Sequence, residues 1–248
     1  MFGLPRKFID SFSAEVPEHE LEICLRVAKY LGFSQVWISN PTKATKDILK
    51  QSSTLKYPKV FQRIDIGLND NDKAKIISTL RQKRRHFPII AITCATPDIT
   101  AWAAQDNRID ILKFRPFEIG KLLTRSVAKL MNNHNKCLEI SLADLYTLPY
   151  RSHIAAIRNI RNAFTEIIRK HVSYIFSSGA ANIEHLRTPR ELASLGQILL
   201  NSTQLPLNAL SVTPHSLLTQ NLRKITPDYV IPGVFKVNPS NQPKFEEE

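Results

Sequence analysis

Short apolar runs that alternate with amphipathic helical periods constrain the fold of this chain more than any other feature. Each run is four to seven residues long, and the segment after it carries apolar residues three or four positions apart. Strands joined through helices pair in parallel, either in a closed barrel or in an open, doubly wound sheet. We favour a closed or nearly closed barrel, so the sequence predicts a single α/β domain of the TIM-barrel-like type. The predicted strands span residues 8–12, 35–39, 60–66, 89–93, 111–114, 137–140 and 174–177.

Several predicted helices have recognisable starts. Thr188-Pro189-Arg190-Glu191 has the pattern of a capping box with proline at the first helical position. Thr96-Pro97 and Thr213-Pro214 repeat the Thr-Pro start. The helices are predicted at residues 17–31, 43–51, 70–85, 97–104, 118–132, 153–171, 188–200 and 214–224.

The residues that barrel enzymes use are missing from their expected positions. A metal-dependent barrel hydrolase would carry His-x-His after its first strand, whereas this chain has Ser11 and Ser13 at that spacing. The histidines show no ligand spacing, and the sequence contains no phosphate-binding glycine motif and no Gly-x-Ser-x-Gly elbow. Asp10, Asp65 and Glu139 would form either a carboxylate cluster at the barrel mouth or separate, hydrogen-bonded strand-end acids. We therefore expect no catalytic residue and no metal site in the free chain.

The charge of the chain favours a polyanionic partner. The formal net charge is +12, and residues 71–225 contribute most of it, with 22 Lys and Arg against 10 Asp and Glu. A basic surface attracts nucleic acid phosphates and gains binding free energy from counterion release. A basic protein with solvated helices is the alternative.

One predicted helix separates basic from apolar residues. Arg158, Arg161 and Arg169 fall on one side at about 100° per residue, so we predict that this side binds nucleic acid. The opposite side carries Ile157, Ile160, Phe164, Ile167 and Ile168. Further candidates for phosphate binding are basic residues near the ends of strands and helices, namely Arg84, Arg85, Arg115, Arg151, Arg187, Arg190, Arg223 and Lys224.

The loop after the last predicted strand is another candidate phosphate site. Ser177, Ser178 and Gly179 would offer hydroxyl and backbone donors where barrels often bind phosphate. Serine and glycine also occur in such loops for turn geometry alone, so both interpretations stay open.

Cys24, Cys94 and Cys137 stand apart in apolar surroundings, so we expect free thiols in a reducing compartment. The chain lacks a signal-peptide core and an apolar stretch of membrane-spanning length, which predicts an intracellular protein without membrane contact. We expect one barrel-like, RNA-associated domain over residues 1–236 and a disordered acidic tail over residues 237–248.

Five segments of the chain follow one another in a specific order: Lys113-Phe114-Arg115-Pro116, residues 137–141, the basic helix 158–170, residues 174–180 and residues 188–196. This order resembles that of ribonuclease P protein component 3, the archaeal form of the thirty-kilodalton ribonuclease P subunit family. Residues 217–224 and 230–234 resemble the family's closing helix and strand. The resemblance covers roughly residues 7–236, and residues 201–211 depart from it through a less regular pattern.

The resemblance implies a barrel of the PHP type, which is related to metal-dependent phosphoesterases, with a degenerate metal site. It implies a non-catalytic subunit of the ribonuclease P ribonucleoprotein, whose RNA removes the 5′ leader of precursor tRNA with RNA-bound magnesium. The implied partners are the ribonuclease P RNA, precursor tRNA indirectly, a small RRM-like subunit and other ribonuclease P proteins, in the cytoplasm, or in the nucleus or nucleolus of a eukaryote. The RNA-binding candidates come from helical geometry and not from the resemblance. A degenerate metal-dependent phosphoesterase and a scaffold that binds only protein remain alternatives.

Overall fold

The computed structural model describes residues 6–13, 16–42, 57–67, 72–226, 229–231 and 234–235. The predicted helix at 43–51 and the predicted acidic tail at 237–248 lie outside the described residues. Within the described part of the chain, no helix is long and apolar enough to cross a membrane.

The first seven strands form one parallel sheet whose spatial order follows the order of the chain. Consecutive parallel neighbours curl the sheet into a barrel, with the helices outside it. The prediction of a TIM-barrel-like α/β fold is therefore confirmed, and each strand end lies within two residues of its predicted position. The strands are β1 Phe8–Phe12, β2 Phe33–Ser39, β3 Lys59–Ile66, β4 Ile89–Cys94, β5 Ile111–Phe114, β6 Cys137–Ser141 and β7 Ser173–Ser177.

The first and last strands meet at their carboxyl ends. Phe12 forms a parallel bridge with Ala180, and the Ser13 N–H donates to the Ala180 carbonyl at 2.9 Å. The Gly179 N–H donates to the Ser11 carbonyl at 3.0 Å. These contacts, made just beyond β7, close the carboxyl end of the barrel, where residues that act on a ligand usually lie.

The helices lie outside the barrel, and most of them start where the sequence predicts. The capping box is present, since the Glu191 N–H donates to Thr188 Oγ1 and the Thr188 N–H donates to Glu191 Oε2. Thr96 caps its helix in the same way. The helices are α1 Glu18–Tyr30, α2 Lys73–Lys83, α3 Pro97–Ala103, α4 Ile119–Leu122, α5 Arg125–Asn133, α6 Ala143–Tyr146, α7 His153–Arg169, α8 Pro189–Leu200 and α9 Val212–Lys224. Three 3-10 turns also occur among the described residues, at Tyr150–Ser152, Ile183–His185 and Leu207–Leu210.

Two helix predictions are wrong in detail. The helix predicted at 118–132 is divided into α4 and α5, because Leu123 leaves helical geometry and the Thr124 side chain caps the second helix. The predicted Thr213-Pro214 start is also misplaced, since α9 begins at Val212. Pro214 therefore lies within the first turn, where a missing N–H has no intrahelical partner to lose.

The barrel interior changes from apolar to polar along the strands. The amino half of the interior is filled by the side chains of one apolar cluster. Leu218 of α9 belongs to this cluster and closes it at the amino end of the barrel. Helix α9 therefore packs across the amino end of the barrel as a plug, whereas the interior positions at the carboxyl end are polar. The strand residues of the apolar cluster are Ile9, Trp37, Ile89, Ala91, Ile111, Cys137 and Ile175.

The outward faces of the strands pack against the helices in the main hydrophobic core. Cys24 and Cys94 lie in this core, Cys137 lies inside the barrel, and all three are buried free thiols, as predicted. The segment that resembles a closing strand forms a separate antiparallel pair, β8 Tyr229–Ile231 and β9 Val234–Phe235, next to α9. It does not join the barrel sheet.

Candidate nucleic-acid interface

A polar pocket of about 320 Å³ opens at the carboxyl end of the barrel. We call this pocket the mouth. It is formed by interior-facing residues from successive strands, which alternate with the core residues of the outer face. Its lining includes Ser11, Ser13, Ser39, Asp65, Lys113 and Glu139.

The mouth is built over a buried arginine. Arg63 is fully buried and lies one interior position below Asp65 on β3. Its Nε and Nη2 donate to the Asp65 carboxylate at 2.6 and 2.8 Å. Its Nη1 and Nη2 donate to the Glu139 carboxylate at 3.1 and 2.7 Å, and the Ser177 hydroxyl donates to the same carboxylate at 2.7 Å. The guanidinium fork thus joins two carboxylates on different strands.

Lys113 supplies a second positive charge, with its Nζ 3.4 Å from Asp65 Oδ2. Burial alone would raise the pKa of Asp65, but Arg63 and Lys113 lower it to about 2. The same two cations hold the pKa of Glu139 below its usual range against the effect of burial. Asp144, on the pocket wall, has a pKa raised by burial despite the charge of Lys113. The mouth is therefore a set of ion pairs in which the strand carboxylates stay charged.

This arrangement answers the question that the sequence left open about Asp10, Asp65 and Glu139. Asp65 and Glu139 do meet, but a guanidinium lies between them where a metal site would hold a cation. Ser11 and Ser13 face the mouth at the positions where His-x-His would have to stand. Among the described residues, no group of three His, Cys, Asp or Glu side chains could hold a metal ion.

Asp10 has a different task, at the contact between β1 and β7. Its carboxylate accepts hydrogen bonds from the Ser178 N–H at 2.7 Å, the Ser178 hydroxyl at 2.6 Å and the Ser11 N–H at 2.8 Å. Burial raises the pKa of Asp10 to about 6, although these hydrogen bonds oppose the rise. Asp10 therefore joins the two edges of the barrel.

The loop predicted to bind phosphate is the other half of this contact. Ser177 donates to Glu139, Ser178 to Asp10, and the Gly179 N–H to the Ser11 carbonyl. Gly179 has φ 62°, and a Cβ there would lie 2.0 Å from the Ser141 hydroxyl oxygen, so any other residue would strain this loop. The donors of this loop are engaged within the chain, and a phosphate-binding role for Ser177, Ser178 and Gly179 stays a prediction that would require these bonds to open.

The arginine side of α7 faces solvent, as the helical geometry predicts. Arg158, Arg161 and Arg169 are exposed, whereas the buried side of α7 packs into the core. Arg161 donates to the Asn201 side chain at 3.0 Å, and Arg169 pairs with Glu166 at 2.7 Å. The buried side consists of Ala156, Ile160, Ala163, Phe164 and Ile167.

One apolar residue of α7 was misplaced by the sequence pattern. Ile168 was expected on the core side and is 50% exposed. At 100° per residue it follows Ile167 around the helix and comes next to Arg161 at the edge of the exposed face, so the apolar side is narrower than predicted.

Four other arginine candidates follow strands or precede helices on the carboxyl side. Arg187 lies over the Tyr146 ring, with its guanidinium carbon 5.2 Å from the ring centroid. Arg115 follows β5 and lies 3.9 Å from Glu118. Arg151, in the turn before α7, and Arg190, in the first turn of α8, are exposed.

The last set of candidates meets at the opposite, amino end of the barrel. Arg84 follows α2 and pairs with Asp110. Arg223 and Lys224 end α9 and line a pocket with that same Asp110. Arg85 is exposed beside Arg84. The sequence did not identify two further lining residues of this pocket, Lys136 and Asn221, because neither belongs to a recognisable motif.

The fold and the mouth define a class of protein: a parallel, TIM-barrel-like α/β domain whose mouth holds Arg63 between two carboxylates. The sequence matches the RNase P subunit p30 family over residues 10–226. The chain therefore belongs to the ribonuclease P subunit p30 family.

Relatives in the same family are ribonuclease P proteins of archaea. The chain is 25% identical over 239 residues to ribonuclease P protein component 3 of Methanococcoides burtonii, covering 95% of this chain and 96% of the relative. It is 24% identical over 223 residues to the protein of that name from Methanosarcina barkeri, covering 87% and 90%.

Solved structures share the fold. A chain of an archaeal ribonuclease P with mature tRNA aligns with a TM-score of 0.78 and 17% identity over 94% of this chain and 100% of that chain. A prolidase aligns with a TM-score of 0.56 and 11% identity over 94% and 80%, respectively. The ochratoxinase of A. niger aligns with a TM-score of 0.56 and 10% identity over 86% and 71%.

Proposed function

We propose that this chain is the non-catalytic protein subunit of a ribonuclease P ribonucleoprotein, and that it supports the fold and activity of the catalytic RNA. Membership of the p30 family over most of the chain supports the assignment to ribonuclease P. The ribonucleoprotein would remove the 5′ leader of precursor tRNA, and the chemistry would belong to the RNA.

The observation that carries the non-catalytic part of the proposal is the buried Arg63. Asp65 and Glu139 are the carboxylates best placed to act at the mouth, and both accept hydrogen bonds from its guanidinium. A carboxylate held in this way has a low pKa and is a poor proton acceptor. Magnesium would therefore be bound by the RNA, with no cofactor on the chain.

The partners follow from the same assignment. We propose direct contact with the ribonuclease P RNA and with a small RRM-like subunit and other proteins of the particle, and indirect contact with precursor tRNA. The barrel domain over residues 1–236 would carry these contacts, in the cytoplasm of an archaeon. The arginines of α7 are the proposed RNA surface, because three guanidinium groups stand on one exposed side.

The test of this surface is the triple change of Arg158, Arg161 and Arg169 to alanine. RNA affinity and the activity of the reconstituted particle should fall, because the variant lacks the three guanidinium groups that would contact phosphates. The melting temperature should move little, because exposed substitutions usually change stability by about 0.5 kcal/mol each. Lysine at the three positions should restore only part of the loss.

A matched control removes the same charge elsewhere. Lys29, Lys121 and Lys129 are exposed and lie on other helices, so their triple change to alanine should weaken RNA binding much less. Equal effects of the two triple variants would mean that only net charge matters. Unchanged RNA affinity in the folded arginine variant would remove α7 from the interface.

Salt dependence separates the RNA-binding subunit from a scaffold that binds only protein. If phosphate contacts dominate, affinity for structured RNA should fall steeply between about 50 and 200 mM salt. A filter-binding curve with a flat salt dependence would favour the scaffold.

A further inference from the structure

A second pocket lies at the amino end of the barrel, on the side opposite the mouth. We call it the amino-end pocket. It has a volume of about 510 Å³ and lies between α9 and the segments that precede β5 and β6. Its polar lining is basic and amide-rich, and none of its residues belongs to the α7 surface proposed above to bind RNA. Its lining includes Asp110, Lys136, Asn221, Arg223 and Lys224.

Asn221 is the residue that demands an explanation. It is 1% exposed and lines the amino-end pocket from α9. Neither its Nδ2 nor its Oδ1 has a hydrogen-bond partner among the described residues. Leaving a buried polar group unpaired costs about 1–3 kcal/mol. Two nearby residues of α9, Leu218 and Leu222, are apolar. A hydrogen-bonding partner that enters the pocket would remove this free-energy cost of the buried carboxamide.

The surroundings of Asn221 carry more positive than negative charge. Lys136 is 3% exposed, and its Nζ donates to the carbonyl oxygens of Asp106 and Ile109 at 2.6 and 2.7 Å, which leaves one N–H. Within the described chain, the Lys224 side chain has no hydrogen bond or ion pair. This end of the barrel therefore offers donors that have no acceptor.

Asp110 attracts both lysines but offsets only part of the positive charge at this end of the barrel. Its Oδ2 already accepts from the Arg84 Nη1 and from the Ile90 N–H. The Nη2 of Arg84 is buried and has no partner in the described part of the chain. Three cationic side chains, those of Arg84, Lys136 and Lys224, thus surround Asp110, whose Oδ2 is already engaged.

The electrostatics of the amino-end pocket favour the binding of an anion. Burial, together with the charges of Lys224 and Arg84, lowers the pKa of Lys136 to about 8 against the attraction of Asp110 and Asp106. The pKa of Lys224 is also lowered by burial and by Arg84. An anion in the pocket would relieve this repulsion and bring both lysines back towards their ordinary pKa.

We propose that the amino-end pocket binds a phosphate group of an RNA backbone. Asn221 Nδ2 and Lys224 Nζ would donate to phosphate oxygens, while Asn221 Oδ1 would accept from the neighbouring ribose hydroxyl. A free phosphate ion has the same charged oxygens and, at neutral pH, its own P–OH donor, so RNA is the favoured source because the chain belongs to a ribonuclease P family. The choice of RNA rests on the proposed function, whereas the phosphate chemistry rests on the pocket alone.

The test uses the full chain with Asn221→Leu, which has a similar volume and no donor, and Lys224→Gln, which removes the charge. Asn221→Asp keeps the shape and places a carboxylate among the cations, so it should stay folded and exclude phosphate. Lys29→Gln, at an exposed position on α1, is the control for lost charge. Two quantities are measured: the melting temperature against inorganic phosphate at constant ionic strength, and the affinity for ribonuclease P RNA across a salt series.

Phosphate should raise the melting temperature of the wild type and of Lys29→Gln, and should have no effect on the three pocket variants. RNA affinity should fall about tenfold in Asn221→Leu and in Lys224→Gln. The slope of log affinity against log salt should decrease in magnitude by about one in Lys224→Gln, which removes one charged contact. Loss of the phosphate effect with unchanged RNA binding would support the pocket and assign it to free phosphate instead of RNA. Pocket variants that match Lys29→Gln in both measurements would overturn the inference. The proposed function would survive that result, since it fails only if the wild type does not bind RNA or support the particle.

Discussion

Removal of the Arg63 guanidinium should destabilise the chain by about 3–5 kcal/mol, the usual cost of leaving a buried charge without its partner. Four N–H···O contacts between 2.6 and 3.1 Å join Arg63 to Asp65 and Glu139. Arg63→Met keeps an apolar stem and leaves both carboxylates facing Lys113 alone. At about 2–4 °C per kcal/mol for a domain of this size, the melting temperature should fall by about 6–20 °C.

Urea unfolding at pH 7 and pH 5 measures this loss and its cause. Without Arg63 the pKa of Glu139 should rise above its unfolded value, so protonation of Glu139 should shrink the deficit as the pH falls towards 5. Arg63→Met combined with Glu139→Gln should recover part of the stability at pH 7. Arg26→Met is the control, because the exposed Arg26–Glu22 pair contributes at most about 1 kcal/mol. The reasoning is refuted if Arg63→Met unfolds at the wild-type urea concentration, or if its deficit is the same at both pH values.

Gly179→Ala should lower the free energy of unfolding by about 1–3 kcal/mol, because φ is 62° and the new Cβ would meet Ser141. Gly67→Ala, with nothing within 4 Å of its Cβ, should be near neutral in the same thermal unfolding assay. Equal effects of the two changes would contradict this prediction. Asp10 has a folded pKa of about 6, above its unfolded value, so the folded state binds more protons at this residue. The contribution of Asp10 to the free energy of unfolding should therefore decline by about 3 kcal/mol as the pH rises from about 4 to 6. Asp10→Asn should lack that decline when unfolding is followed from pH 4 to 7, and parallel curves for the two proteins would count against the assignment. Lys136→Met should lower the free energy of unfolding by about 1–3 kcal/mol, since it leaves the Asp106 and Ile109 carbonyls without their donor. Chemical denaturation measures this loss, and an unchanged midpoint would mean that the Lys136 contacts contribute nothing.

The barrel could be predicted because its signal is local. Apolar runs such as 89–94 and 111–114 mark strands, and the Thr188 capping box marks a helix start that the structure places at the same residue. The absence of His-x-His at Ser11 and Ser13 could be read from the sequence because the spacing of strand residues fixes which side chains face the mouth. The break between α4 and α5 was missed, since one residue outside helical geometry leaves no strong mark in the pattern.

The chemistry of the two barrel ends depended on contacts between distant residues. A signal for Arg63 existed, because Arg63 and Asp65 are two residues apart on β3 and must share a face. The third member, Glu139, lies 76 positions away, and only the register of the closed barrel brings it to Arg63. Asn221 and Lys136 come together in the same way, when α9 packs across the amino end.

The central claim is tested most directly by precursor-tRNA processing in a particle reconstituted from the ribonuclease P RNA and its protein subunits, assayed with and without this chain. We predict that the RNA and the other subunits cleave the 5′ leader poorly without the chain and efficiently with it. The purified chain alone, with magnesium or manganese, should cleave no RNA. RNA cleavage by the chain alone that disappears with Asp10→Ala or Glu139→Ala would contradict the account, as would a particle whose activity is the same whether or not the chain is present.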